Sequence, residues 1–319
     1  MEEASFATEN YFVAFIDILG YREKINKLPK EEQKAFIKSL NDLFELAKDL
    51  NKSSNMPDSS HGLYGKDERF DIKMKTFSDN IFLYTKANWT GLLLTVTHMQ
   101  ANCAFLDISI RGALSHGELF ANDDFIYGSG LIEAYDLERK AAIFPRIIVG
   151  DSFVEAMKCC IIIADVTEKY RHLKPDAKSI DHVTFYQTFR ESIYFDIFFA
   201  NDIFDESLFI NYLAYWKWHI DVEGHSEEKP SFEEYMKIHK EKIEKSLTES
   251  DKPDIAQKYK WCKFYHNSIC GKNQLADMKI PIRNRDTENP TMPLNKIIVA
   301  ELQQGTSSSE KPMEGMSFA

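Results

Sequence analysis

No stretch of this 319-residue chain is apolar enough to span a bilayer. The longest candidate, CCIIIA at 159–164, falls far short of the roughly 18 to 20 residues that a spanning helix needs. Cysteine is scarce too: Cys103, Cys159, Cys160, Cys262 and Cys270 are odd in number and show no CxxC spacing, and the nine histidines form no HExxH or similar ligand pair. A disulfide framework or a zinc site is therefore not expected, and the thiols read as small buried hydrophobes. Basic residues are outnumbered, 39 Lys and Arg against 50 Asp and Glu, which gives a net charge of −11 and a pI near 5.4. Such a balance does not suit a broad surface that grips nucleic acid, so any phosphate chemistry has to be local. The opening MEEASFATEN has neither a basic leader nor an apolar core and does not read as a secretory signal; the expected location is cytoplasmic. YGSG at 127–130 is too short for a phosphate loop, and no Ser-His-Asp or Cys-His signature occurs.

What is present is enough to fold: 44% of residues are hydrophobic and 13% aromatic, which supports one large domain or two modest ones. Residues 11–19, continuous apolar and aromatic and closed by Gly20, predict a central strand buried on both faces. From Pro29 to about Lys52, Phe36, Leu40, Leu43 and Phe44 recur at helical spacing, and the Ser-, Asp-, Gly- and Pro-rich 53–69 reads as a loop. Runs at 70–77 and 80–86 are strand-like and split by Ser78 and Asp79, which predicts a hairpin with the acid at its tip. An apolar helix at 90–106, a strand at 107–120, a helix at 131–142 and a strand at 145–150 follow. Helices interleaved with a mostly antiparallel hairpin core predict an α+β, ferredoxin-like palm over residues 1–165. An α-rich extension over 166–302 is expected to pack on it. There, 192–204 reads as a strand, and 231–247 and 254–269 read as helices. The Pro-, Asn- and Arg-rich 280–295 reads as irregular, and 303–319 as a disordered tail.

Two acids stand out. Asp17 in YFVAFIDILG and Asp79 in TFSDNI each end a run that favours a buried strand, where a lone carboxylate is costly without a compensating cation or partner. Two carboxylates distant in sequence but adjacent in a sheet can hold Mg²⁺ against a nucleoside triphosphate. The same residues also fit a turn cap and a strand end. Arg111 in IRGALSHG places a permanent fork of donors inside an apolar strand, which suits a bound anion or an ion pair with one of the many acids. Lys75 lies four residues before Asp79 and is expected on the same side, as a donor to a base or phosphate or as a solvated strand lysine. Glu133, Asp136 and Glu138, close to Arg139 and Lys140, read as helix-surface ion pairs, and His98 and His116 as core or surface residues.

Taken in order, FIDILG, FSDN, IRGALSHGELF, YGSG with EAYDLE, and FPRIIV resemble the class III nucleotide cyclases over roughly residues 10–150. More closely, they resemble the bacterial pyrimidine cyclases of Pycsar antiphage systems. The resemblance implies homodimeric palms facing head to tail with composite substrate sites, and two Mg²⁺ or Mn²⁺ ions held by Asp17, Ile18 and Asp79. It places Arg111 on the triphosphate and Lys75 on the base. One departure is visible: where the family at large carries Asn and Arg on the helix after the second glycine turn, this chain shows Ile132 and Asp136. The transition-state cation then comes from elsewhere, with Arg139 one candidate, and the departure favours the pyrimidine branch. Lys75 can only donate, and uracil offers two carbonyl acceptors where cytosine offers one and an amino donor, so UTP is the expected substrate and CTP the alternative. The expected product is cyclic UMP, read by a separate effector. A catalytically inactive nucleotide-binding module is the rival reading.

Overall fold

The computed structural model describes residues 7–55, 71–103, 105–106, 108–122, 125–159, 193–223, 230–249 and 252–282. The loop expected at 53–69 gives way at 53–55 to the end of a helix that runs to Asn55; the rest of it, most of 280–295 and the tail lie outside these residues, as does Cys160.

The fold is organised by one strand. β1 (Glu9–Leu19) alternates strictly: Phe12, Ala14, Ile16 and Ile18 are buried on one face, while Tyr11, Val13, Phe15 and Asp17 point to the other. It pairs antiparallel with β3 (Asn80–Thr85) on one side and β4 (Ser109–Ala121) on the other. β2 (Lys73–Phe77) completes a hairpin with β3. The order β2-β3-β1-β4 with antiparallel neighbours is that of the split βαβ palm. The short β5 (Ile126–Tyr127) pairs with β4, and β6 (Ile147–Val149) lies parallel to it. β8 (Leu208–Ile210) and β7 (Phe199–Asn201) then extend the same sheet, so the segment after residue 166 adds strands to the palm as well as helices.

One face of the sheet carries the main core. α1 (Tyr21–Lys27) follows β1 across Gly20, whose φ of 74° is a conformation glycine adopts without strain. α2 (Lys30–Asn55) buries Phe36, Leu40, Leu43 and Ala47, a stripe of helical period. α3 (Trp89–Cys103) is apolar around most of its circumference, because it lies between the sheet and the C-terminal helices. On the opposite face, α4 (Ser129–Lys140) lays Ala134 and Leu131 over Val13, Phe82, Tyr84 and Leu119. It starts at Gly128, where φ is 149° and an added Cβ would lie 2.2 Å from the Glu118 carbonyl oxygen. α5 (Asp151–Cys159) follows β6.

The C-terminal part differs from its sequence reading in two places. The stretch read as a strand near 192–204 begins as a helix, α6 (Ile193–Phe198), before β7; the rings of Phe195 and Phe199, four residues apart, meet at 5.0 Å, tilted by 50°. α7 (Tyr212–Glu223) was not foreseen. Its sequence YLAYWKWHIDVE is apolar around most of its circumference, so no clear period announces it, and it is held between α3 and the last helices by Tyr215, Trp216 and Ile220. α8 (Phe232–Glu249) opens with a reciprocal capping box: Glu234 Oε2 accepts from Ser231 N at 2.8 Å and Ser231 Oγ accepts from Glu234 N at 3.2 Å. α9 (Pro253–Lys272) starts on proline. Cys103, Cys262 and Cys270 are free and buried, as expected.

One polar device joins the extension to the palm, and a second ties the extension's own helices together. Arg146, fully buried, pairs with Asp202 and Asp205 and lies against the rings of Phe144 and Trp261. Beneath it runs a directional chain. His266 Nε2 meets the Met278 carbonyl at 3.0 Å and must donate to it, so its Nδ1 accepts from His239 Nδ1 at 3.0 Å, and His239 Nε2 accepts from the Tyr212 hydroxyl at 2.9 Å. Both imidazoles are neutral in this arrangement. Burial pushes His266 down to about 4 and His239 well below the usual histidine range. The unfolded chain therefore binds a proton at His266 below about pH 6.5 that the folded chain refuses down to about pH 4. Stability is fully present above that window and is lost as pH falls through it, by on the order of 3 kcal/mol from this residue. Urea unfolding followed from pH 7 to pH 5 should show a falling midpoint, and His266→Gln should flatten that fall. An unchanged slope in the variant contradicts the assignment.

Candidate active site

The site forms where β1 ends. Its apolar row of Tyr11, Val13 and Phe15 is completed by Asp17, whose register partners are Asn80 on β3 and Arg111 on β4. Ser78 and Asp79 are the two loop residues of the β2–β3 hairpin, with Ser78 at φ 57°, the positive φ that tight hairpin turns require. The Ile18 amide donates to the Asp79 carbonyl at 2.8 Å, locking the hairpin tip against the end of β1. Asp17 and Asp79, 62 residues apart in sequence, are thereby neighbours that repel electrostatically.

Arg111 faces Asp17 from the next strand. Its Nε donates to Asp17 Oδ2 at 3.1 Å and lies 2.6 Å from Glu138 Oε1, the latter as an ion contact rather than a directed hydrogen bond. Engagement through Nε leaves the terminal guanidinium nitrogens for a fork onto phosphate oxygens. Glu138 is 4% exposed on the inner side of α4, one turn beyond Ala134. It is not the surface ion pair expected from sequence, because the stripe Gly130, Ala134, Glu138 faces the sheet. Its neighbours fit the surface reading in part: Asp136 pairs with Lys140 at 2.8 Å, whereas Glu133 accepts from Ser152 Oγ at 2.7 Å. Arg139 is exposed and reaches the Tyr135 hydroxyl at 3.5 Å. His98 is a buried partner of the Tyr215 hydroxyl at 2.9 Å, and His116 packs on Phe12.

Lys75, expected from strand alternation on the side of Asp79, shares Asp17's face. β2 ends at Phe77 and Asp79 lies in the turn, so alternation along one strand does not relate them. Register does: Lys75 opposes Phe82, which opposes Phe15 on the Asp17 side of the sheet. Two strands across and two residues along, it sits about 12 Å from Asp17. It donates to the Asn122 carbonyl. The Ile18 side chain is aliphatic and buried on the far face, so any part it takes in holding a cation would fall to its main-chain carbonyl.

The electrostatics show what the cluster needs. Burial raises the Asp17 carboxyl above the usual range; Arg111 opposes that shift and Asp79 adds to it. Glu138 is raised by burial in the same way, again opposed by Arg111. One guanidinium shared by two carboxylates leaves both short of positive charge, which a cation would supply. Among the described residues no three His, Cys, Asp or Glu side chains converge into a cage. Asp17 and Asp79 fit a hard divalent ion that takes few protein ligands and fills its shell with water and phosphate oxygens, the usual habit of Mg²⁺. Lys258 on α9 also faces this cluster, a cation that sequence gave no sign of.

No family model and no curated protein matches the chain. Solved structures similar to it are class III nucleotide cyclase domains and their relatives. One is the monomeric guanylyl cyclase domain of the RhoGC fusion protein from the aquatic fungus Blastocladiella emersonii, at 15% identity over 49% of this chain and 89% of that chain, with a TM-score of 0.36. Another is the catalytic core of a rhodopsin-guanylyl cyclase with converted specificity in complex with ATPalphaS, at 16% identity over 47% and 82%, TM-score 0.35. A class III adenylyl cyclase-like ATP-binding protein from Pseudomonas aeruginosa matches at 9% identity over 59% and 42%, TM-score 0.32.

The Arg111 pairing has a direct consequence for stability. Arg111→Ala leaves the buried Glu138 carboxylate without its cation and should cost about 2 kcal/mol, less than a fully buried pair because Arg111 is partly exposed. Arg111→Ala with Glu138→Gln should recover most of that loss in urea unfolding. A double variant no more stable than the single one contradicts the pairing.

Proposed function

We propose that the chain is a nucleotidyl cyclase that converts UTP to 3′,5′-cyclic UMP and pyrophosphate, a second messenger for antiviral (antiphage) defence that a separate effector reads. The observation that carries this reading is the Ile18–Asp79 hydrogen bond: it joins a strand end and a hairpin tip so that two carboxylates border one face beside an arginine.

Asp17 and Asp79, with the Ile18 main-chain carbonyl, would hold two Mg²⁺ or Mn²⁺ ions. Those ions supply neutralisation of the triphosphate and a lowered pKa for the ribose 3′-hydroxyl. Arg111 grips phosphate oxygens with its terminal nitrogens and, through Nε, keeps Asp17 oriented. The 3′-oxygen attacks the α-phosphorus in line, the bond to the bridging oxygen of pyrophosphate breaks, and the hydroxyl proton leaves to solvent. Lys75 is too far from Asp17 to share its cation and is placed for the other end of a nucleotide, where it donates to a uracil carbonyl.

Homodimerisation fits the surface around the site. Phe77, at the hairpin tip and on the Asp17 face, is 82% exposed, and Tyr127, Ile132 and Tyr135 are exposed apolar residues on β5 and α4. Chains facing head to tail would cover such residues and compose each site from two copies. Among the described residues no helix is long and apolar enough to cross a membrane.

Incubation of the purified protein with each of the four ribonucleoside triphosphates and Mn²⁺, with products identified by mass, tests the proposal. Cyclic UMP is expected. Cyclic CMP as main product moves the assignment to the cytidylate alternative, and a purine cyclic nucleotide as sole product overturns the base assignment. Asp17→Ala and Asp79→Ala should each lower turnover by on the order of 10² or more. A wild-type rate in either would place the chemistry elsewhere.

A further inference from the structure

The helical extension reaches the palm's carboxylate cluster. Three independent contacts fix where α9 runs. Near its start, Lys252 Nζ lies 3.5 Å from Glu23 on α1, the helix that follows β1. In its middle, Trp261 stacks on Phe144 at 5.7 Å with rings 5° from parallel and donates to Asp202 Oδ2 at 2.5 Å. Tyr259 and Cys262 line, with Ser109 and Ile110 of β4, a cavity of about 60 Å³. α9 therefore passes the end of the sheet at which β1 finishes and β4 begins. Lys258 lies one turn before Trp261 and Cys262, and Arg111 directly follows Ile110. Half-buried, Lys258 faces the charges of Arg111, Asp17 and Glu138 as well as that of Asp254 one turn earlier on its own helix.

The charges at this place do not suit a triphosphate without that lysine. Asp17, Asp79 and Glu138 are three carboxylates, and Arg111 alone is already shared between two of them. Arg139, exposed on the outer side of α4, acts on Glu138, whereas Lys258 acts on both Glu138 and Asp17. A lysine is also the right type for the task. Its ammonium ends a flexible stem that can swing from the carboxylates onto an arriving oxyanion, and it needs no fixed fork geometry.

We infer that α9 is part of the active site and that Lys258 binds the phosphate groups of the substrate in the same chain that carries Asp17 and Asp79. This inference rests on the nucleotidyl cyclase reading and identifies the extension as a structural component of catalysis rather than an appendage. It also accounts for the extension's deep attachment through Arg146 and Trp261, since a helix that delivers a charge must be held rigidly.

The test uses the full-length protein and two probes that need no turnover, Mn²⁺ alone and Mn²⁺ with inorganic tripolyphosphate, with affinities measured by calorimetry. Lys258→Met should weaken tripolyphosphate binding by about tenfold. Mn²⁺ binding alone should be unchanged or tighter, because a competing cation has left the carboxylates. Lys258→Arg should restore most of the tripolyphosphate affinity. Lys252→Met, which removes the outer contact of the same helix, should leave both affinities unchanged. Equal tripolyphosphate affinity in wild type and Lys258→Met overturns the inference about Lys258 and leaves the cyclase reading standing. A parallel loss of Mn²⁺ and tripolyphosphate binding in Lys258→Met also overturns it, since that marks a structural role. Wild-type protein that binds neither probe overturns the cyclase reading itself.

Discussion

The structure depends on the register that sets β1 between β3 and β4. That register puts Asp17 opposite both Asn80 and Arg111, and it brings the β2–β3 turn within hydrogen-bond reach of Ile18. A slip of one residue would turn Asp17 into the main core and Ile16 or Ile18 out of it. The buried pattern of β1 therefore enforces the position of the carboxylate, because Phe12, Ala14, Ile16 and Ile18 cannot exchange faces with the row that ends in Asp17. Function and folding draw on the same alternation.

Around that fixed point the charges are arranged with a deficit. Asp17 and Glu138 are raised by burial and share Arg111, while Asp79 adds repulsion from the turn. Such a cluster is poor as a stabilising network, because a buried ionic group seldom repays its desolvation. It is well suited to receiving cations and a polyanion together. The proposed chemistry builds on this imbalance: the residues that cost the fold stability are those that would position a triphosphate.

Much of this was legible in the sequence. The apolar run ending in Asp17 and Gly20, and the two strand-like runs split by Ser78 and Asp79, identified β1 and the hairpin tip because each signal is local. The palm order followed from the succession of elements. Glu138 was misread although its signal was present: Gly130 and Ala134 mark the inner stripe of α4, and Glu138 continues it. Lys258 had no signal, since its position depends on how α9 docks. α7 was missed because a helix apolar around most of its circumference has no clear period, and the segment near 192–204 changes from helix to strand within a single apolar run. Lys75 was expected on the side of Asp79 by alternation along one strand, which the turn invalidates; the cross-strand register relates it to Asp17 instead.

The central claim is that Asp17 and Asp79 hold a common metal centre. Crystals grown with Mn²⁺ and a non-cyclisable UTP analogue test it most directly through anomalous scattering. The account predicts manganese density between the two carboxylates, with the triphosphate alongside. Density at another place, or at one carboxylate with the other turned away, would contradict it.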